Sequence, residues 1–257
     1  MTVPLEGRVA LVTGAGHAAG RAYARALAAA GARVAVADEF ADAAAETAAL
    51  IEKGAGTARF FPLDVTDEAS VTATVRGCLE AFGAIDVLVN NPNRYRDTRF
   101  TALADMTAGH WDRTMAVLVR GTMLTTKAAV PELAKSPAPA IVNHTSSAAY
   151  GVVNWLDYAT ARGAVIAMTK SLAKELAPAG IRVNALSVGS SADEAIALGV
   201  VADEAQMTGT PDFKRQLIPR LCTGEDLAGP VVFLASTASA YLTGQTVEAD
   251  GGKFFLG

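Results

Sequence analysis

The chain predicts a single α/β domain with a doubly wound parallel sheet, and three observations predict it. Short apolar runs alternate with longer helical patterns from one end to the other. The apolar runs are continuous rather than alternating with polar residues, the mark of strands covered on both faces. The first of them, Val9-Ala10-Leu11-Val12-Thr13, runs into a glycine-rich turn that opens a helix.

In order, strands are expected over 8–14, 33–38, 58–64, 85–91, 140–146, 182–188 and 246–250, with helices beginning near Ala18, Ala41, Asp67, Thr107, Tyr158 and Gly224. Right-handed crossovers wind such units into a Rossmann-like sheet. At 257 residues the chain can bury a core without disulfides or metal. There is no internal repeat or low-complexity linker, so residues 1–257 read as one domain. The stretch 189–219 has no clear pattern. Loops longer than about 12–15 residues are commonly functional, and this one follows a strand whose carboxyl end borders the ligand crevice, so it is expected to be a substrate lid.

Composition narrows the function. The net charge is −4 with both signs interspersed, which gives no footprint for nucleic acid. No run of roughly 18 apolar residues lacks a charge, so no membrane span is expected, and the first residues lack the pattern of a secretory signal. Cys78 and Cys222 have no framework of spacings and read as reduced thiols, hence a cytoplasmic protein. His17, His110 and His144 are scattered, so no metal site is expected, and His144 reads as a core histidine.

The turn Gly14-Ala15-Gly16-His17-Ala18-Ala19-Gly20 places a helix N-terminus and small residues after a buried strand, which suits a pyrophosphate. The second strand ends in Asp38, about 20 residues after the turn, where a carboxylate accepts ribose hydroxyls and repels a 2′-phosphate. NAD is therefore the expected cofactor. Asp38 is equally placed to cap the helix from Ala41. The spacing Thr-Gly-x-x-x-Ala-x-Gly resembles the short-chain dehydrogenase/reductase family, whose pattern has glycine where this chain has Ala18. The resemblance covers nearly the whole chain. It implies an adenine-pocket segment at Leu63-Asp64-Val65, closing the third strand, and cofactor contacts at Gly14, Gly16, Ala18, Gly20, Asp38, Asp64, Val65, Asn90 and Val188. His17, in the phosphate turn, is a further candidate contact.

Proton transfer at a carbinol calls for a phenol with a lowered pKa, against a reference near ~10, and a nearby cation lowers it. Tyr158 and Arg162 stand four apart on a helical run, so the guanidinium can lie beside the phenol. Ser146 closes the fifth strand, where its hydroxyl can hold the substrate oxygen. Ser146, Tyr158 and Arg162 match the family's Ser…Tyr-x-x-x-Lys in spacing, with arginine for lysine.

Other departures surround that site. Leu118 stands at the family's asparagine, Asn90-Asn91-Pro92-Asn93 at its Asn-Asn-Ala-Gly, and Ser187-Val188-Gly189 at its Ser-Pro-Gly. Three readings follow. The first is an NAD(H)-dependent oxidoreductase interconverting a secondary alcohol and a ketone. The second is a cofactor-independent lyase similar to halohydrin dehalogenases, which carry a Ser–Tyr–Arg triad but an aromatic ring at the place of Ala18. The third is an inactive nucleotide-binding homologue. Tyr150, Asn154, Trp155 and Leu156 lie between Ser146 and Tyr158, and the resemblance implies that this loop lines the substrate pocket, hence a partly aromatic pocket for a fairly apolar small molecule. The closing segment resembles the family's subunit interface, implying a homotetramer or homodimer.

Overall fold

Strand and helix alternate as the apolar pattern requires. The structure, a computed structural model, describes residues 4–93, 100–189, 191–197, 201–210 and 213–254. The first half contains β1 (Val9–Thr13), α1 (Ala18–Ala29), β2 (Arg33–Asp38), α2 (Ala41–Lys53), β3 (Thr57–Pro62), α3 (Glu68–Phe82) and β4 (Val87–Asn90). Then come α4 (Ala108–Met115), a π turn (Ala116–Arg120), α5 (Gly121–Leu133), β5 (Ala140–Ser146) and α6 (Leu156–Leu176). The chain continues with β6 (Arg182–Val188), α7 (Ala192–Ala197), α8 (Glu204–Thr208), α9 (Gly224–Ala235) and β7 (Thr246–Ala249).

All seven strands pair in parallel, in the order β3-β2-β1-β4-β5-β6-β7. The order reverses between β1 and β4, and such a switch point opens a crevice at the carboxyl ends of the strands. Two apolar layers flank the sheet. Ala10 and Val12 of β1 pack toward Tyr23, Leu27, Ile51 and Leu227, while Val9 and Leu11 pack toward Val75, Cys78, Leu133 and Ile181. Successive side chains on one strand thus enter opposite layers, which is why the strands had to be apolar throughout.

Several boundaries differ from expectation. β3 stops at Pro62, so Leu63-Asp64-Val65 follows the strand instead of closing it. The helix expected from Thr107 begins at Ala108, because the Thr107 hydroxyl accepts from the His110 backbone N–H as a cap. It is then interrupted by the π turn before resuming as α5. The helix expected near Tyr158 starts two residues earlier, at Leu156.

The stretch 189–219 also carries more order than the sequence suggested. It contains α7, which lies against α1, and α8, whose Asp203 cap accepts from the Gln206 N–H. Its far end is tied down, since the amides of Leu217 and Ile218 both donate to the Gly251 carbonyl. Residues 190, 198–200 and 211–212 of this expected lid lie outside the described residues.

Candidate active site

The exit of β1 is nested against the exit of β4. The Asn91 amide N–H donates to Thr13 Oγ1 at 3.0 Å, and Asn91 Nδ2 donates to the Gly14 carbonyl at 3.0 Å. Gly14 has φ +59°, and a Cβ there would overlap the Asn91 carbonyl. A Cβ on Gly20 would overlap the Gly14 carbonyl, so both glycines are required by close backbone approach. Ala18, at the family's middle glycine, has φ +39°, a left-handed conformation that an alanine adopts only with strain. α1 follows His17, whose side chain does not cap it, and has no acid in its first turn. Its leading N–H groups thus form the donor set an anion requires. The His17 ring packs edge-on against Phe40, 5.6 Å between centroids.

Asp38 is buried at the end of β2. Its Oδ2 accepts from the Gly16 N–H at 2.8 Å and its Oδ1 from the Phe40 N–H at 3.0 Å. The cap of α2 is Phe40, not Asp38. The carboxylate instead ties the glycine turn to the end of β2, and an ionised carboxylate keeps lone pairs for further donors. Gly14, Asp38, Asp64, Val65, Pro92 and Asn93 line a small cleft, together with Glu39, Leu63 and Val117. Asp64 Oδ1 accepts from both the amide and the hydroxyl of Thr66, at 2.8 and 2.7 Å. The cleft therefore brings together four of the residues singled out for the cofactor.

Asn90 and Val188 are placed elsewhere. Asn90 is buried at the end of β4; its Nδ2 donates to Thr126 Oγ1 and Asn143 Oδ1, both at 2.9 Å, and its Oδ1 accepts from Thr125 at 2.6 Å. Its amide stitches β4 to β5 and α5. Val188 ends β6, with its carbonyl accepting from Ser146 Oγ at 3.4 Å.

Around Tyr158 a second group assembles. Ser146 ends β5 and its Oγ also accepts from the Ala148 N–H at 3.2 Å, capping a short 3-10 turn over Ser147–Tyr150. Tyr158, in the first turn of α6, is buried between two planes. Trp155 stacks on its ring at 4.0 Å and 10°, and the Arg162 guanidinium sits 4.8 Å from its centroid. Expected beside the phenol, the guanidinium instead lies over the ring face, and a cation there is attracted by the ring's quadrupole. Arg162 is 0% exposed. Its Nη1 donates to the His144 carbonyl at 3.2 Å and its Nη2 to Asn93 Oδ1 at 2.7 Å. Leu118, in the π turn, packs with Ala148, Tyr158 and Ala161, so an apolar wall completes the surround.

Two features carried no sequence signal. Buried Asp157 accepts from Thr114 Oγ1 at 2.5 Å and pairs with His110 Nε2 at 3.0 Å, clamping the start of α6 to α4. Tyr150 donates to Glu248 Oε1 at 2.7 Å, and burial followed by that bond raises its pKa above the ordinary phenol value. Tyr150 thus holds its proton more tightly than a free phenol does. His144 is a core histidine, its Nδ1 hydrogen-bonded to the Tyr23 hydroxyl at 2.8 Å.

Comparison with known proteins agrees with this fold. A sequence family described as enoyl-(acyl carrier protein) reductase matches residues 14–253. The chain is 39% identical over 252 residues to the short-chain reductase protein NovJ of Streptomyces niveus, covering 95% of this chain and 93% of that one. It is 33% identical over 254 residues to 2-(S)-hydroxypropyl-CoM dehydrogenase 3 of Xanthobacter autotrophicus, covering 98% of each. Among solved structures, one described as a short-chain alcohol dehydrogenase from Sinorhizobium meliloti 1021 superposes with a TM-score of 0.89 at 34% identity, covering 98% of each chain.

Proposed function

The chain belongs to the short-chain dehydrogenase/reductase family, and on that premise we propose that it is an NAD(H)-dependent oxidoreductase interconverting a secondary alcohol and a ketone. The observation that carries the reading is Asp38, a buried carboxylate lining the same cleft as Gly14, Asp64 and Val65. Its negative charge suits ribose hydroxyls and opposes a 2′-phosphate. The uncapped start of α1 suits the pyrophosphate. A dehalogenase of the cofactor-independent kind would carry a ring where Ala18 stands, and the open cleft beside Asp38 favours a nucleotide instead.

When bound, the dinucleotide supplies or takes up the hydride. The protein's own groups handle the proton and the alignment. Ser146 Oγ donates a hydrogen bond to the substrate oxygen in place of the long bond to Val188. The Tyr158 hydroxyl gives its proton to that oxygen in reduction and takes it back in oxidation. Arg162 stabilises the phenolate through the ring face, and the neighbouring Trp155 and Leu118 exclude water, which strengthens that interaction. Phe100, Leu103, Val153 and Leu156 are exposed, and Thr101 bridges to Trp155, so apolar side chains gather beside the site and suit a fairly apolar substrate.

The same reading includes a lid over 189–219, a cytoplasmic setting and a homotetramer or homodimer. Neither Cys78 nor Cys222 is in a disulfide, which suits a reducing compartment. Exposed Phe233 and Tyr241 near the end of the chain suit a subunit contact.

Turnover of NADH with a panel of ketones tests the chemistry. Tyr158→Phe is expected to cut kcat by about 10²-fold or more while NADH binding stays within about threefold of wild type. Undiminished turnover in that variant would remove Tyr158 from the mechanism.

A further inference from the structure

Two departures from the family pattern, at sequence positions 69 apart, meet at one hydrogen bond. Asn93 stands where the family has glycine, and Arg162 where it has lysine. We propose that Asn93 is a positioning residue for Arg162: it latches the guanidinium over the Tyr158 ring, so that the arginine acts on the phenol from a fixed place.

The hydrogen-bond inventory supports this. Arg162 is fully buried, and among the described residues its guanidinium meets no carboxylate. Among the described residues its Nε has no hydrogen-bond partner, and Asn93 Oδ1 and the His144 carbonyl are its two acceptors. The His144 bond is the longer, at 3.2 Å against 2.7 Å. A buried cation without a counter-anion is held in place only by such acceptors and by the ring it faces. A guanidinium presents a planar fork, and fixing both ends of the fork fixes the plane. Glycine at position 93 would offer no acceptor, and a lysine at 162 would not need one with this geometry. Asn93 also lines the nucleotide cleft with Gly14 and Asp38, so the latch joins the cofactor-binding half of the site to the proton-transfer half.

The proposal rests on the Tyr158–Arg162 reading above but can be tested without substrate or cofactor. Ionisation of Tyr158 would be followed through the tyrosinate absorbance, as the difference between each protein and its Tyr158→Phe counterpart. Other titratable groups near this face of the site are His110 with Asp157, His144 with Tyr23, Tyr150 with Glu248, and Lys253 beside Ser147. They are common to all the proteins compared and drop out of the differences.

Asn93→Asp places an anion against the guanidinium and is expected to raise the Tyr158 midpoint by about one pH unit, a roughly tenfold loss of tyrosinate at a given pH. Asn93→Ala releases the fork and is expected to raise it by about half a unit, roughly threefold. A latch that served only stability would lower the melting temperature without moving either midpoint. Wild-type midpoints in both folded variants would overturn the proposal whatever their melting temperatures; where the two variants disagree, Asn93→Asp decides. Arg162→Met separates the failures. An unmoved midpoint there removes the arginine's role as well, whereas a raised one with unmoved Asn93 variants removes only the latch. NADH titration of the same preparations reports separately on the dinucleotide reading.

Discussion

Ala18 shows how one methyl can matter twice. Its position in the phosphate turn is legible in the sequence as a substitution for glycine, with the added methyl narrowing the approach to the phosphates. Its φ of +39° adds a cost that no residue pattern displays, since the backbone there favours glycine. Ala18→Gly removes both at once. The relief of strain is partly offset by the greater freedom of glycine in the unfolded chain, about 0.4–1 kcal/mol. The expected outcome is therefore a change in melting temperature of no more than about 4 °C, with NADH binding about threefold tighter or better. Calorimetry or fluorescence titration checks it, and weaker binding would count against a phosphate at this turn. The contact between Asn93 and Arg162 was not legible at all. Both residues were visible as departures, but nothing in their spacing indicates that the exit of β4 and the second turn of α6 would meet.

At the scale of elements, the strands were readable because a sheet covered on both faces needs apolar side chains at every position, and β2, β5 and β6 fall where the apolar runs placed them. The helices within 189–219 were not readable, because α7 and α8 are only 6 and 5 residues long and show less than two turns of periodicity. The π turn escaped for a different reason: Ala116-Val117-Leu118-Val119-Arg120 is as apolar as a regular helix, and only its wider backbone bonding, with the Gly121 N–H donating to the Ala116 carbonyl, distinguishes it. α9 offers a test at this scale. Its Asp226 accepts from the Thr223 N–H at 2.9 Å and from both ends of the Arg220 fork at 2.6 Å, and the Arg220 bond holds its carboxyl well below the usual carboxylate range. A depressed folded-state pKa contributes stability above the unfolded value, near ~4, and loses it as pH falls through the folded one. Asp226→Ala is expected to lower the melting temperature by about 2–4 °C at neutral pH. That difference should shrink as the pH falls below about 4. A difference independent of pH would mean that packing at the start of α9, and not the charge, supplies the effect.

For the molecule as a whole, the sheet order places the ends of β1, β2, β4 and β5 along one edge, and each contributes one part of the site. β1 and β2 supply the glycine turn and Asp38; β4 supplies Asn93 just beyond its end; β5 supplies Ser146 and the His144 carbonyl that holds Arg162. On the proposed reading the half around the glycine turn and Asp38 holds the nucleotide, and the half around Tyr158, with Arg162, Asn93 and Leu118, handles the proton. The central claim is that the nucleotide half holds NAD(H), and Asp38 is its discriminating group. The most direct measurement is a pair of equilibrium titrations with NADH and NADPH, on the wild-type chain and on Asp38→Ser. Wild type is expected to bind NADH at least about tenfold more tightly than NADPH, a difference of about 1.4 kcal/mol, and Asp38→Ser to lose most of that preference. Equal affinities in the wild type, or no binding of either nucleotide, would contradict the account.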